Sequence, residues 1–105
     1  MPGNPSSRYI IKHITKDNIF NDLGFNEVEA ENLKIRAALM RAIEKYIEDN
    51  NLTQAAAAKL MGVYQPRVSD LLQGKIDKFT IEVLINLLAK AHVSVSLVVD
   101  DRSVA

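Results

Sequence analysis

The sequence predicts a mainly α-helical bundle that ends in one β-strand, and three features carry that expectation. Apolar residues recur every three or four positions over residues 27–49 and again over 81–91, the period of a helix with one buried face. Between them, "LTQAAAAKLMGVYQPRVSDLLQGK" (52–75) reads as two short helices broken at Gly62. Beyond them, "HVSVSLVVDD" (92–101) alternates apolar and polar residues at first, with Val93, Val95, Leu97 and Val99 on one face, as in a strand.

The chain has 105 residues, enough for one compact domain with short extensions and too few for two ordinary ones. Hydrophobic residues at 48% and charged residues at 25% are the balance of a globular protein rather than a disordered one. Thirteen basic and thirteen acidic side chains cancel, so any electrostatic case for a polyanionic partner has to be local. The absence of cysteine excludes disulfides, thiol catalysis and cysteine-based metal sites, and fits a reducing compartment. No apolar run approaches the ~20 residues of a membrane span, and "MPGNPSSRYIIKHITK" lacks an apolar core of signal-peptide length. The expectation is a cytoplasmic protein with no membrane partner.

In order, residues 1–16 form a flexible basic arm containing Arg8, Lys12 and Lys16, in which "RYIIKHIT" (8–15) is β-branched enough for a short strand. A helical domain spans 17–91. It opens with a turn or two of helix over 17–25, closed by Gly24. Asn26 and Glu29 have capping-box spacing, and a long helix follows from about 27 to 49, with Ile35, Leu39, Ile43 and Ile47 as its stripe. Leu33, Met40 and Tyr46 widen that stripe. Thr53 caps a short alanine-rich helix that ends at Gly62. Residues 62–74 supply another short helix, and Phe79 and Thr80 staple and cap a last one over 81–91. Residues 92–105 are the C-terminal strand and tail. A solitary strand leaves its backbone groups unsatisfied, so this one pairs either with 8–15 or with its counterpart in a second copy.

The two central helices carry the functional signal. Counting Gln54 as the first position, Ala58 is fifth, Gly62 ninth, Val68 fifteenth and Leu71 eighteenth. Helices crossing at ~90–120° through a tight turn tolerate only a small side chain at the crossing, and the turn itself needs the positive φ that glycine reaches freely. Residues 53–74 therefore read as a helix-turn-helix; the plain alternative is a structural αα-hairpin. The outer side of the second helix favours the first reading. With Val68, Leu71 and Leu72 inward, Pro66, Ser69, Asp70 and Gln73 lie outward, while Gln65 and Arg67 lie at the leading end and flank. Amides, arginine and serine read base edges or hold phosphates. Within 53–78, Lys59, Arg67, Lys75 and Lys78 face only Asp70 and Asp77.

Residues 52–75 resemble the helix-turn-helix of the lambda-repressor-like (XRE) family. With "NIFNDLGF", "EAENLKIRAALMRAIEKYI" and "GKIDKFTIEVLINLLAKAHVSVSLVV" around them, residues 18–99 are similar to its HigA-like antitoxin subgroup. That resemblance implies a bundle of about five helices with a C-terminal strand, dimerising on double-stranded operator DNA, and a repressor that autoregulates a toxin–antitoxin operon. It implies that Gln54 touches a phosphate and braces Gln65, that Gln65 meets a base edge, and that Arg67 and Ser69 contact bases or phosphates. Lys59 and Lys75 would hold the backbone, with Gln73 and Lys78 at the margin of the same surface. The family usually has Ser or Thr where this chain has Tyr64; either Gln65 caps the helix or the Tyr64 hydroxyl serves a phosphate. Asp70 either accepts from a cytosine amino group or pairs with Arg67 three residues earlier, and the pair is the preferred reading.

Nothing else points to chemistry. His13 and His92 stand far apart without clustered carboxylates, so a metal site is not expected. Ser6, Ser7, Ser69, Ser94 and Ser96 lack the setting of an activated nucleophile, and no glycine loop cradles phosphate. No enzyme and no cofactor are expected. Glu27, Glu29 and Glu31 serve as helix-capping charge or as a face for a basic toxin. The rival readings are a module that neutralises a toxin with DNA binding secondary, and a phage-type or general regulator without a toxin.

Overall fold

The computed structural model describes residues 26–100. The basic arm over 1–16, the strand-capable stretch 8–15, the helical turns over 17–25 and residues 101–105 lie outside the described residues. Among those described there are four α-helices and one short 3-10 helix: α1 (Glu27–Asp49), α2 (Gln54–Met61), α3 (Gln65–Leu72), the 3-10 turn Ile76–Lys78, and α4 (Ile81–Lys90).

Three helices start on a side-chain cap. Asn26 Oδ1 accepts from the Glu29 amide at 2.7 Å and the Asn26 amide donates to Glu29 Oε1 at 3.3 Å, completing the capping box. Thr53 Oγ1 accepts from the Ala56 amide at 3.0 Å, and Thr80 Oγ1 from the Val83 amide at 3.1 Å. Phe79, just before that last cap, and Leu84 are both buried in the same apolar cluster, as a hydrophobic staple requires.

The four helices share one way of ending. In each, a residue with positive φ turns the chain back: Asn51 (51°), Gly62 (69°), Gly74 (74°) and His92 (62°). The next amide then bonds five residues back: Leu52 to Ile47 O, Val63 to Ala58 O, Lys75 to Asp70 O and Val93 to Leu88 O, at 2.9–3.1 Å. These are Schellman closures, which satisfy carbonyls that a helix end leaves orphaned. The tight reversals let short helices pack at once on what precedes them.

The core forms between α1 and α4 and runs beneath α2 and α3. Leu39, Ile43 and Ile47 meet Leu84 and Leu88, with Tyr46, Met61 and Phe79 filling the centre and Val68 and Leu71 closing it from α3. The stripe read along α1 is therefore its buried face, and Ile35 packs at its edge.

The expected C-terminal strand is not formed among the described residues. Among the described residues, 93–100 carry no ladder. Val93 and Val95 lean half-buried against the core, while Leu97, Val98 and Val99 are 64%, 73% and 90% exposed. Alternation specifies two faces, but a strand exists only against a partner backbone, and residues 26–92 offer none in strand form.

Candidate nucleic-acid interface

The turn between α2 and α3 consists of Gly62, Val63 and Tyr64. A Cβ placed on Gly62 would lie 3.0 Å from Lys90 Nζ, so the turn also passes close under the end of α4. Ala57 and Ala58 are buried where α2 meets the core, and Val68 and Leu71 hold α3 down. These contacts leave the leading end and outer side of α3 facing outward.

Tyr64 occupies the N-cap position with extended backbone (φ −78°, ψ 149°) and makes no side-chain cap bond. It is 85% exposed. Gln65 is already helical, so neither residue caps α3 through its side chain, which removes the first of the two alternatives, capping by Gln65. Pro66 in the first turn explains how the helix does without a cap. Proline has no N–H to satisfy, and the Arg67 amide donates to Tyr64 O at 2.9 Å. Little is left for a capping oxygen to do.

The expected site residues fall into three groups. Tyr64, Gln65 and Lys59 are exposed, and Gln54 is half-buried at the start of α2. Among the described residues no hydrogen bond joins Gln54 to Gln65, so the expected brace is not formed here. Ser69 and Gln73 are tied together, the Gln73 amide donating to Ser69 Oγ at 2.9 Å one turn back.

The third group is a charged cluster behind α3. Arg67 does not pair with Asp70. Its guanidinium lies over the Phe79 ring, 4.3 Å from the centroid, and Nη1 donates to Lys78 O at 2.9 Å. Asp70 instead accepts from Lys75 Nζ at 3.2 Å and from Lys78 Nζ at 3.4 Å, one lysine on each carboxylate oxygen. The hydrogen bond from Lys75 holds the Asp70 carboxyl below the ordinary aspartate range. Desolvation opposes that shift, and the charges of both lysines reinforce it. The pair preferred from helical spacing does not form, although both residues lie within α3, because Arg67 is drawn to the Phe79 ring and Lys78 O. Gly74 then folds Lys75 back until its amide bonds Asp70 O and its ammonium meets the Asp70 side chain.

Sequence reasoning missed Arg36. From α1 its Nη1 donates to Ile76 O at 3.1 Å and Phe79 O at 3.4 Å, and its Nε donates to Asn32 Oδ1 at 2.6 Å. It therefore fixes the 76–79 segment from below while Arg67 fixes it from α3. The sequence shows only an arginine beside the apolar stripe of α1, and its acceptor in Ile76 lies forty residues away.

Among the described residues no three potential metal-ligating side chains cluster, and no helix is long and apolar enough to cross a membrane. Two short helices joined by a glycine turn, the second seated by Val68 and Leu71 with its polar side outward, define a helix-turn-helix module. The chain belongs to the helix-turn-helix domain family, whose model matches residues 19–100, and that membership points to a DNA-binding regulator. Among curated proteins, no relative matches it.

Proposed function

We infer that the protein is a sequence-specific transcriptional repressor that binds a pseudo-palindromic operator as a homodimer. The supporting observation is the leading end of α3, where Tyr64 and Gln65 project from a helix whose opposite face is locked into the core. In this reading α3 enters the major groove with Gln65 leading, its amide suited to an adenine edge. Lys59, Lys75 and Lys78 and the N-terminal arm meet phosphates, and half-sites lie about one helical turn apart, ~34 Å. In such a dimer residues 93–99, which form no ladder among the described residues, would pair with the same segment of a second copy. Autorepression of a toxin–antitoxin operon is the narrowest form of the proposal and rests on the family resemblance.

Fluorescence anisotropy with a duplex from the gene's own upstream region tests the reading. Gln65→Ala should weaken binding by about 1–3 kcal/mol, the worth of one good base contact, with far less effect on a scrambled duplex. Equal operator affinity for Gln65→Ala and the parent would sink the assigned reading end. A second reading, in which neutralising a toxin is the main task, is favoured by exposed Leu97, Val98 and Val99. Co-purification of a toxin with the parent, lost when all three become Ser, would support it.

A further inference from the structure

The geometry points to Asp70 as a specificity-determining residue, a negative clasp that restrains Lys75 and Lys78 so that phosphate attraction alone cannot hold the protein on arbitrary DNA. The inference rests on the DNA-binding reading and adds a role that the reading does not contain.

The clasp is two-sided, with a lysine on each carboxylate oxygen at 3.2 and 3.4 Å. The Asp70 side chain is 20% exposed, whereas those of the two lysines are 44% and 54% exposed, so the cations stand further out than the anion. Its backbone is held too, by the Lys75 amide on Asp70 O at 3.1 Å. The loop cannot drift, because Arg67 bonds Lys78 O and Arg36 bonds Ile76 O and Phe79 O.

Helix stability does not account for this residue. Asp70 sits in the last turn of α3, where the helix dipole disfavours a negative charge. A carboxylate on a phosphate-facing surface is also repelled by DNA. Both costs acquire a use if the anion serves discrimination. Binding to arbitrary sequence depends almost wholly on counterion release by cations on phosphates, and the clasp reduces two positive charges to a net charge of +1. Binding to the operator also draws on base contacts and on lysines already held in one place. There the lost charge is partly offset by the rotamer freedom that the clasp has already removed. Asp70 therefore weakens the wrong complex more than the right one.

Asp70→Asn keeps the shape and removes the charge; Asp70→Ala removes both, and circular dichroism confirms that each variant is folded. Anisotropy titrations use two probes, an upstream-region duplex and a scrambled duplex of equal length, over a salt series. Both variants should bind the scrambled duplex roughly three- to tenfold more tightly at low salt, with the slope of log K against log salt steeper by about 1. Operator affinity should rise less, so the ratio of the two affinities falls. Unchanged scrambled-duplex affinity and slope overturn the inference while leaving the DNA-binding reading intact. So does a selective loss of operator affinity, which would make the carboxylate a base reader for a cytosine amino group. A parent that binds neither duplex overturns both.

Discussion

Arg67 lies over Phe79, its guanidinium carbon 4.3 Å from the ring centroid, and the same side chain donates to the carbonyl of Lys78 at 2.9 Å. The arginine that sequence spacing assigns to DNA thus joins α3 to the loop behind it. Arg67→Ala should cost the free protein about 1–2 kcal/mol, combining a half-buried cation–π contact with one hydrogen bond. Urea unfolding without DNA measures it. Arg67→Lys should recover little, since a compact ammonium lacks the planar fork that covers the ring and bonds the carbonyl at once. Parent-like stability for Arg67→Ala would return this side chain to a purely DNA-facing role.

The Schellman closures make opposite predictions for glycine and non-glycine positions. Gly62→Ala should destabilise by about 1–2 kcal/mol because its φ of 69° disfavours a Cβ. The nearby Lys90 ammonium is the far end of a flexible chain and can move aside. His92 holds a φ of 62° and is exposed, so His92→Gly relieves that strain at some cost in unfolded-state entropy. The net gain should be about 0.5 kcal/mol, read as a rise in the thermal midpoint. A loss of stability in His92→Gly would mean that the imidazole has a structural task of its own.

What could be read in advance depended on whether it was local. The bounds of α1, its capping box, the caps at Thr53 and Thr80 and the need for Gly62 follow from residues within one or two turns of each other. The clasp on Asp70 was not readable, because helical spacing pairs Asp70 with Arg67. The true partners arrive only after Gly74 reverses the chain. Arg36 and its acceptors in 76–79 are joined solely by tertiary packing. The C-terminal segment shows the limit from the other side: alternation in 93–99 specifies two faces but not a partner, and among the described residues no ladder forms. At the candidate site, Tyr64 was visible as a departure from the family pattern. Its exposure, and the redundancy of a cap ahead of Pro66, needed coordinates.

Tyr46 links the two long helices by a polar bond inside the core. It is 1% exposed, and its hydroxyl donates to Ala91 O at 3.3 Å, at the end of α4. Tyr46→Phe keeps the ring and leaves that carbonyl without this donor, at a cost of about 1–2 kcal/mol. Because Ala91 leads into the His92 reversal, the effect should extend to the segment that follows. Hydrogen exchange at the Val93 amide, bonded to Leu88 O at 2.9 Å, should speed up in the variant. Unchanged protection there would confine the bond's role to global stability.

The clasp also gives the protein a signed pH dependence. Because Lys75 and Lys78 lower the pKa of Asp70 in the folded state, the folded protein binds this proton more weakly than the unfolded chain does. The contribution is therefore fully present above the ordinary aspartate pKa of the unfolded chain. It is lost as the pH falls through the depressed folded value, where the carboxylate takes up a proton and releases both lysines. The stability difference between the parent and Asp70→Asn should accordingly be constant from neutral pH down to the ordinary aspartate range and shift against the parent below it. Urea unfolding of both proteins across that acid range measures this, and the carboxyl carbon resonance of Asp70 gives the folded pKa directly. A resonance that titrates at or above the ordinary aspartate value would show that the lysines do not hold the carboxylate in solution, and the proposed restraint on arbitrary DNA would lose its physical basis.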